Sequence, residues 1–149
     1  MKRVAILILT AGTLLVTAAS TVARTAHSAQ ATTIQLRRTA VGAILATAGG
    51  RTIYTFGRDS RNRDRCAAIS GCTSVWPLVA TSGTPIAGRG VSRRLLGTIR
   101  VHGARQVTYA GWPLYTYAGD SGPGQTSYVG VSQFGGPWYA INARGGRVK

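Results

Sequence analysis

We predict that this chain of 149 residues forms a small all-β domain, an antiparallel sandwich or barrel-like fold built from two tandem β repeats. Two observations predict this class. A Tyr-x-aromatic-x-x-Asp motif occurs twice, at residues 54–59 and 115–120. Short apolar or β-branched runs also alternate with glycine-containing turn dipeptides, which is typical of hairpins. We expect long loops and one short helical turn at most.

The predicted strands follow from alternating apolar residues and from the turn signals between them. Dipeptides that end in glycine, at 49–50, 102–103 and 110–111, mark the turns. The stretch 91–96 is the one candidate helical turn, with Ser92 as its cap. Residues 60–75 and 121–136 are expected to be long ordered loops. The strands are expected at 32–36, 41–47, 51–56, 98–101, 106–109, 113–117 and 138–141.

Each half of the sequence contains a strand, a turn that ends in Asp, an irregular stretch and then a tryptophan. Trp76 in the first half corresponds to Trp138 in the second. We place the first repeat at about 41–80 and the second at about 98–141, in a pseudo-twofold arrangement within one domain, 32–149. The remaining residues, 142–149, are expected to form a basic frayed tail.

The first residues predict export. Lys2 and Arg3 precede an apolar stretch, 4–19, and the small-x-small sequence at 29–31 fits signal peptidase cleavage. We assign 1–31 as a signal peptide, with 21–23 as a competing cleavage site and an uncleaved anchor as the alternative. No cysteine lies near either site, so we expect a secreted or extracytoplasmic protein without a lipid anchor. No later apolar stretch is long enough to be a transmembrane segment.

Charge is the strongest compositional signal. The chain has 18 Lys and Arg against 3 acidic residues, and it has no Glu. Such a surface attracts polyanions, so the expected partners are anionic wall polymers or a membrane surface. Export makes nucleic acid an unlikely partner. The alternative is that the arginines only keep an exported protein soluble.

Cys66 and Cys72 are the two cysteines of the chain. An oxidising compartment favours a local disulfide between them. Closing so short a loop would stabilise the fold by roughly 2 kcal/mol. A metal-binding pair or a redox dithiol remains the alternative.

The repeated motif has a structural and a functional interpretation. The period of two places Tyr54 with Phe56, and Tyr115 with Tyr117, on one face for packing. Asp59 and Asp120 would then accept bonds from turn N–H groups or from a tyrosine hydroxyl. In the functional interpretation, the two carboxylates converge on one site for a cation or a sugar. The candidate aromatic anchors, in the core or on a carbohydrate or peptide surface, are Trp76, Trp112 and Trp138.

The sequence contains no arrangement that predicts catalysis. After the leader, His102 is the only histidine, and a catalytic triad or a carboxylate pair has no supporting pattern. We therefore expect no enzyme activity, no cofactor and no metal. The predicted function is a secreted or envelope-associated binding or structural module for anionic or glycan components. The alternative is a small extracytoplasmic redox- or metal-associated accessory protein.

Three segments together resemble a known family. They are residues 50–56, the Cys66…Cys72…Trp76-Pro77-Leu78 series, and residues 106–115. In this combination the chain resembles the bacterial "secreted repeat of unknown function" family, often described as predicted lipoproteins with a Y-x-(F/W/Y)-x-x-D motif, over about 41–141. The resemblance implies an envelope or secreted location and brings no established activity. The chain departs from the family in lacking a lipobox cysteine, in its longer cysteine spacing, and in having His102 where an acid commonly precedes the hairpin glycine.

Overall fold

A computed structural model describes residues 30–149, so the predicted signal peptide lies outside the described residues except for its last two positions. The described part is built from ten short strands and confirms the all-β prediction. In this part of the chain, no helix is long and apolar enough to cross a membrane. The strands are β1 (Thr33–Thr39), β2 (Gly42–Thr47), β3 (Tyr54–Phe56), β4 (Ile86–Ala87), β5 (Leu96–Val101), β6 (Ala104–Tyr109), β7 (Trp112–Pro113), β8 (Ser132–Gln133), β9 (Gly136–Ile141) and β10 (Arg147–Val148).

Each repeat begins with an antiparallel hairpin. β1 pairs with β2, and β5 pairs with β6 in the corresponding place of the second repeat. The turn of the second hairpin has positive φ at both His102 (45°) and Gly103 (84°), as a two-residue hairpin loop of the favoured twist requires. β4 pairs with β1 in parallel, in contrast to the antiparallel pairs of the predicted fold.

The two repeats interlock through a shared sheet. β3 of the first repeat pairs with β9 of the second, while β8 and β10 also pair with β9. The other two sheets have the orders β2-β1-β4 and β5-β6-β7. These three sheets, over residues 30–149, do not join into a closed barrel. The two repeats therefore share one sheet, to which each contributes strands.

Strand β3 separates two hydrophobic clusters. Ile53, just before it, lies in an aliphatic cluster, whereas Tyr54 and Phe56 lie in an aromatic one. This is the alternation that the sequence predicts for 51–56, although both faces of this segment are buried. The buried members of the aliphatic cluster are Ile34, Leu45, Ile53, Val79, Val107, Tyr109, Leu114 and Ile141.

The predicted strands at 51–56 and 113–117 are shorter than expected. Much of each segment makes isolated bridges instead of a continuous ladder, because Tyr115 pairs with Tyr54 on one side and with Leu78 on the other. Both segments lie between the sheets, where the partner changes from residue to residue.

The expectation of a frayed tail at 142–149 is wrong. The Asn142 side-chain oxygen accepts hydrogen bonds from the N–H groups of Arg144 (2.9 Å) and Gly146 (3.0 Å). This side-chain turn directs the chain back, so that Arg147 and Val148 pair with β9. The final residues complete the shared sheet.

Residues 30–149 contain one α-helical turn, as predicted, but it lies outside the expected stretch 91–96. A 3₁₀ turn covers Arg93–Leu95, within the expected stretch, and another covers Cys66–Ala68. The side chain of Ser92 makes no capping bond, and its N–H donates instead to the hydroxyl of Tyr109 (3.0 Å). The α-helical turn, α1, covers Cys72–Val75 and therefore begins at the second cysteine.

We expect His102→Asn to raise the free energy of unfolding by about 0.5 kcal/mol, because Asn-Gly suits a turn with two left-handed residues better than His-Gly. The measurement is urea unfolding at neutral pH. His102→Val is the matched control and should destabilise the hairpin, because a β-branched residue disfavours positive φ. Equal stability of the two variants would contradict this account of the turn.

Candidate functional site

The two motif strands meet at their first tyrosines. The N–H of Tyr54 donates to the carbonyl of Tyr115 (2.8 Å), and the N–H of Tyr115 donates to the carbonyl of Tyr54 (3.0 Å). This reciprocal bridge is what a pseudo-twofold axis between the two residues requires. The motif is therefore the point at which the repeats join.

The first tyrosine of each motif bonds to the motif aspartate of the other repeat. The hydroxyl of Tyr54 donates to Oδ2 of Asp120 (2.7 Å), and the hydroxyl of Tyr115 donates to Oδ2 of Asp59 (2.9 Å). All four side chains are buried. A buried carboxylate without a hydrogen-bond donor would be strongly destabilising. Each repeat therefore supplies the donor for the aspartate of the other repeat. We name these four residues the Tyr–Asp exchange.

The two aspartates occupy equivalent turns. The N–H of Asp59 donates to the carbonyl of Phe56, and the N–H of Asp120 donates to the carbonyl of Tyr117, both at 3.2 Å. Oδ1 of Asp59 also accepts from the N–H of Arg65 (2.8 Å), which anchors the disulfide loop. Oδ1 of Asp120 is buried and has no such partner. The two tyrosine–aspartate bonds are therefore equivalent, whereas the second carboxylate oxygens of the two aspartates have different surroundings.

Burial governs the ionisation of this centre. Burial raises the pKa of Asp59 to about 7, although the bonds from Arg65 and Tyr115 favour the ionised form and oppose that shift. Burial also raises the pKa of Tyr54 and of Tyr115 far above the usual range, and the neighbouring carboxylates add to it. Both phenols are therefore neutral donors.

A four-ring stack lies beside the exchange. Trp76 and Trp138 are parallel, with ring centres 3.6 Å apart. Phe56 stacks on the outer face of Trp138 (4.4 Å), and Tyr117 covers Trp76 at 4.8 Å with a tilt of 32°. Each outer ring thus comes from the repeat opposite to the tryptophan it covers. Trp76 and Trp138, which correspond to each other in the two halves of the sequence, thus form the inner pair of this stack.

One residue that the sequence analysis did not identify holds both tryptophans. The indole N–H of Trp76 donates to the side-chain oxygen of Gln133 (2.9 Å), and that of Trp138 donates to its backbone carbonyl (3.3 Å). Because Gln133 lies in the two-residue strand β8, outside the repeat motif, no periodic signal pointed to it.

Trp112 has a different environment from the other two tryptophans. It is half-buried at the edge of the aliphatic cluster. The guanidinium of Arg147 lies 3.9 Å from its ring centre, and that of Arg61 lies 5.2 Å away. Burial lowers the pKa of Arg147. Through these cation–π contacts, Trp112 holds β10, which contains Arg147. It takes no part in the stack.

Cys66 and Cys72 form a disulfide with a Cα–Cα distance of 5.4 Å, as expected. Both are fully buried in the aromatic cluster. Among residues 30–149, no group of three or more His, Cys, Asp or Glu side chains is placed to hold a metal ion.

The charges of the described residues are divided between interior and surface. Asp59 and Asp120 are buried, and the half-buried Asp64 accepts a bond from the N–H of Ala67 (2.8 Å). No acidic side chain of residues 30–149 is exposed. The exposed arginines of this segment are Arg37, Arg38, Arg58, Arg61, Arg63, Arg65, Arg89, Arg93, Arg94, Arg100 and Arg144.

Fold and centre together define an all-β tandem-repeat domain whose repeats are joined by exchanged tyrosine–aspartate bonds. A family model described as "Secreted repeat of unknown function" matches residues 36–80 and 98–142, and the chain belongs to this family. The two matched segments are tandem repeats, and the first begins at residue 36, ahead of the start at about 41 that the sequence suggested. No curated protein and no solved structure matches the chain.

The bond between Tyr54 and Asp120 predicts a coupling between these two residues in the free energy of unfolding. Tyr54→Phe and Asp120→Asn should each lower the free energy of unfolding by about 1–2 kcal/mol, as loss of a buried charge-assisted bond does. Because Tyr54→Phe removes the donor of this bond and Asp120→Asn removes the charge of its acceptor, the double variant should lose less than the sum, with a coupling of at least about 1 kcal/mol. Urea unfolding of the four proteins measures this.

The control is a pair that shares no hydrogen bond. Tyr54→Phe combined with Asp59→Asn should be additive to within about 0.5 kcal/mol. Additive losses for Tyr54 and Asp120 would contradict the exchanged pairing.

The raised pKa of Asp59 predicts a dependence of stability on pH. The folded protein holds this proton more tightly than the unfolded chain, whose pKa is near 3.8. Protonation therefore favours the folded state, and the free energy of unfolding should fall by about 2 kcal/mol between about pH 5 and pH 8. Urea unfolding across this range is the measurement, and Asp59→Asn should flatten the curve.

A direct measurement is possible because the chain has only 3 carboxylate side chains. Carbon NMR of the side-chain carboxyls should show Asp59 titrating near pH 7. Titration of Asp59 near its ordinary value, together with a stability that rises from pH 5 to pH 8, would reverse the sign of this prediction.

Proposed function

We propose that this protein is a secreted, non-catalytic module that binds anionic components of the cell envelope through its arginine surface. The observation that carries this proposal is the division of charge: eleven arginines are exposed in residues 30–149 and no acid is. Such a surface attracts polyanions, because no fully exposed acidic side chain of residues 30–149 offsets its positive charge.

The interior supports this division. Asp59 and Asp120 lie in the interior, where they accept hydrogen bonds from the hydroxyls of Tyr115 and Tyr54. They therefore do not reduce the positive charge of the surface. The half-buried Asp64 bonds to the backbone of its own loop.

A role as a redox or metal-associated accessory protein receives less support. A redox dithiol needs an accessible disulfide, whereas Cys66 and Cys72 are fully buried. The described residues also lack a group of three potential metal ligands. We therefore propose the binding module alone.

The test is retention of the mature protein on immobilised anionic envelope polymer. We expect strong retention at low salt that decreases steeply as salt rises, because exposed charges are screened within about 10 Å at 0.1 M ionic strength. The same polymer with its charges chemically neutralised is the control and should not retain the protein. Failure to bind the charged polymer at low salt, or equal binding to the neutral one, would overturn the proposal.

A further inference from the structure

One hairpin of the molecule has an outer edge that no strand covers. The sheet order β5-β6-β7 places the six-residue strand β5 at the end of its sheet. β5 pairs with β6 on one side, and no other segment of residues 30–149 pairs with its opposite side. We name this opposite side the β5 edge. An uncovered edge is a template for pairing with another chain.

The neighbouring strand shows which backbone groups point outward from the β5 edge. The N–H of Val107 donates to the carbonyl of Val79 (2.8 Å), and its carbonyl accepts from the N–H of Leu114 (3.1 Å). Both backbone groups of Val107 therefore point away from β5. Opposite residues of an antiparallel pair share this orientation, so the groups of its partner, Thr98, point away from β6, as do those of Arg100 two residues on. Within residues 30–149 these groups bond to no other backbone group.

The first repeat covers the corresponding edge of its own hairpin. Leu36 pairs with Leu45 and Thr98 pairs with Val107, so both members of the pair recur 62 residues later. The N–H of Leu36 donates to the carbonyl of Arg89 (2.9 Å), just after β4 pairs in parallel with β1. The corresponding N–H of Thr98 has no such acceptor in the described part of the chain. The β5 edge is therefore the same edge without its covering strand.

Two cavities adjoin β5 and can receive side chains of an added strand. One has a volume of about 170 Å³ and is lined by Leu96 and Thr98, together with Pro85. The other has a volume of about 270 Å³ and lies between Ile99 and the loop 62–68. In strand addition, main-chain bonds supply affinity and such cavities supply specificity.

The charges beside the β5 edge favour an acidic partner. Arg93 and Arg94 lie in the turn directly before β5, and Arg100 lies within the strand. All three are exposed. Asp64, the one acidic side chain of residues 30–149 that lines either cavity, is half-buried and accepts a bond from its own loop. Carboxylates on an added strand therefore meet positive charge that is largely uncompensated.

We propose that the β5 edge binds an extended, acidic segment of a partner protein as an added strand. The segment accepts bonds from the N–H groups of Thr98 and Arg100 and donates to their carbonyls. A second copy of this chain fits less well, because its described residues would bring the same arginines and no exposed acid. The proposal goes beyond the binding of envelope polymers and does not depend on it.

The first test is amide hydrogen exchange of the unaltered mature protein, measured by NMR at low protein concentration. Without a ligand, the amides of Thr98 and Arg100 should exchange quickly, whereas the covered amide of Leu36 should exchange slowly. A short synthetic peptide with alternating glutamate and valine should slow exchange at Thr98 and Arg100 at least about tenfold. Slow exchange at both positions without the peptide, or no change with it, would overturn the proposal.

Two further peptides separate strand addition from attraction by charge. A peptide of the same sequence with its pairing amides N-methylated keeps the charge but cannot donate to the β5 edge, so it should not protect these amides. A peptide with lysine in place of glutamate should bind at least about tenfold more weakly. Equal binding of the methylated peptide would overturn strand addition, and equal binding of the lysine peptide would overturn the acidic partner.

The alternative of a second copy has its own outcome. Protection of Thr98 and Arg100 that increases with protein concentration, without any peptide, would assign the β5 edge to self-association and overturn the acidic partner.

The second test changes the protein at one outward amide. Thr98→Pro removes that N–H without removing a bond to β6, and proline is tolerated at such edge positions. It should weaken binding of the glutamate peptide about fivefold to tenfold, while the matched control Thr98→Val keeps the N–H and should bind like the unaltered protein. Equal binding by the two variants would contradict the proposal. The peptide tests use the unaltered protein, so they decide the proposal even where the proline variant does not fold.

Discussion

The fold depends on the hydrogen bonds that two buried aspartates receive from the tyrosines of the opposite repeat. A buried carboxylate needs a donor, and here the donor is supplied across the pseudo-twofold axis, by Tyr54 for Asp120 and by Tyr115 for Asp59. The same crossing recurs in the stack, where Phe56 and Tyr117 cover the tryptophans of the other half. The recurrent motif therefore joins the two repeats. Its spacing places the tyrosine of one repeat beside the aspartate of the other.

Much of this could be predicted from the sequence. Alternation in 51–56 correctly placed Tyr54 and Phe56 opposite Ile53, because the period of a strand is a local property. The disulfide followed from compartment and count. The correspondence of Trp76 with Trp138 followed from the offset between the repeats. That an aspartate could accept a tyrosine hydroxyl was foreseen in kind, but which tyrosine bonds to which aspartate depends on how the repeats dock, and local pattern carries no information on that.

The errors have physical causes of the same kind. Residues 142–149 contain charged and small residues typical of a tail, yet Asn142 turns the chain and β9 offers a free edge for Arg147 and Val148. The role of Gln133 depends on contacts between segments distant in the sequence, such as its bond to Trp76. Two-residue strands such as β4 and β8 are too short to produce a period.

The parallel contact between Trp76 and Trp138 has an optical consequence. Two indoles with centres 3.6 Å apart and planes 3° apart are close enough for their electronic transitions to couple. The aromatic circular dichroism of this pair therefore depends on both repeats, since each repeat contributes one ring. Because Trp112 lies apart from the pair, a loss of this contribution would report that the two halves have separated, without an added label.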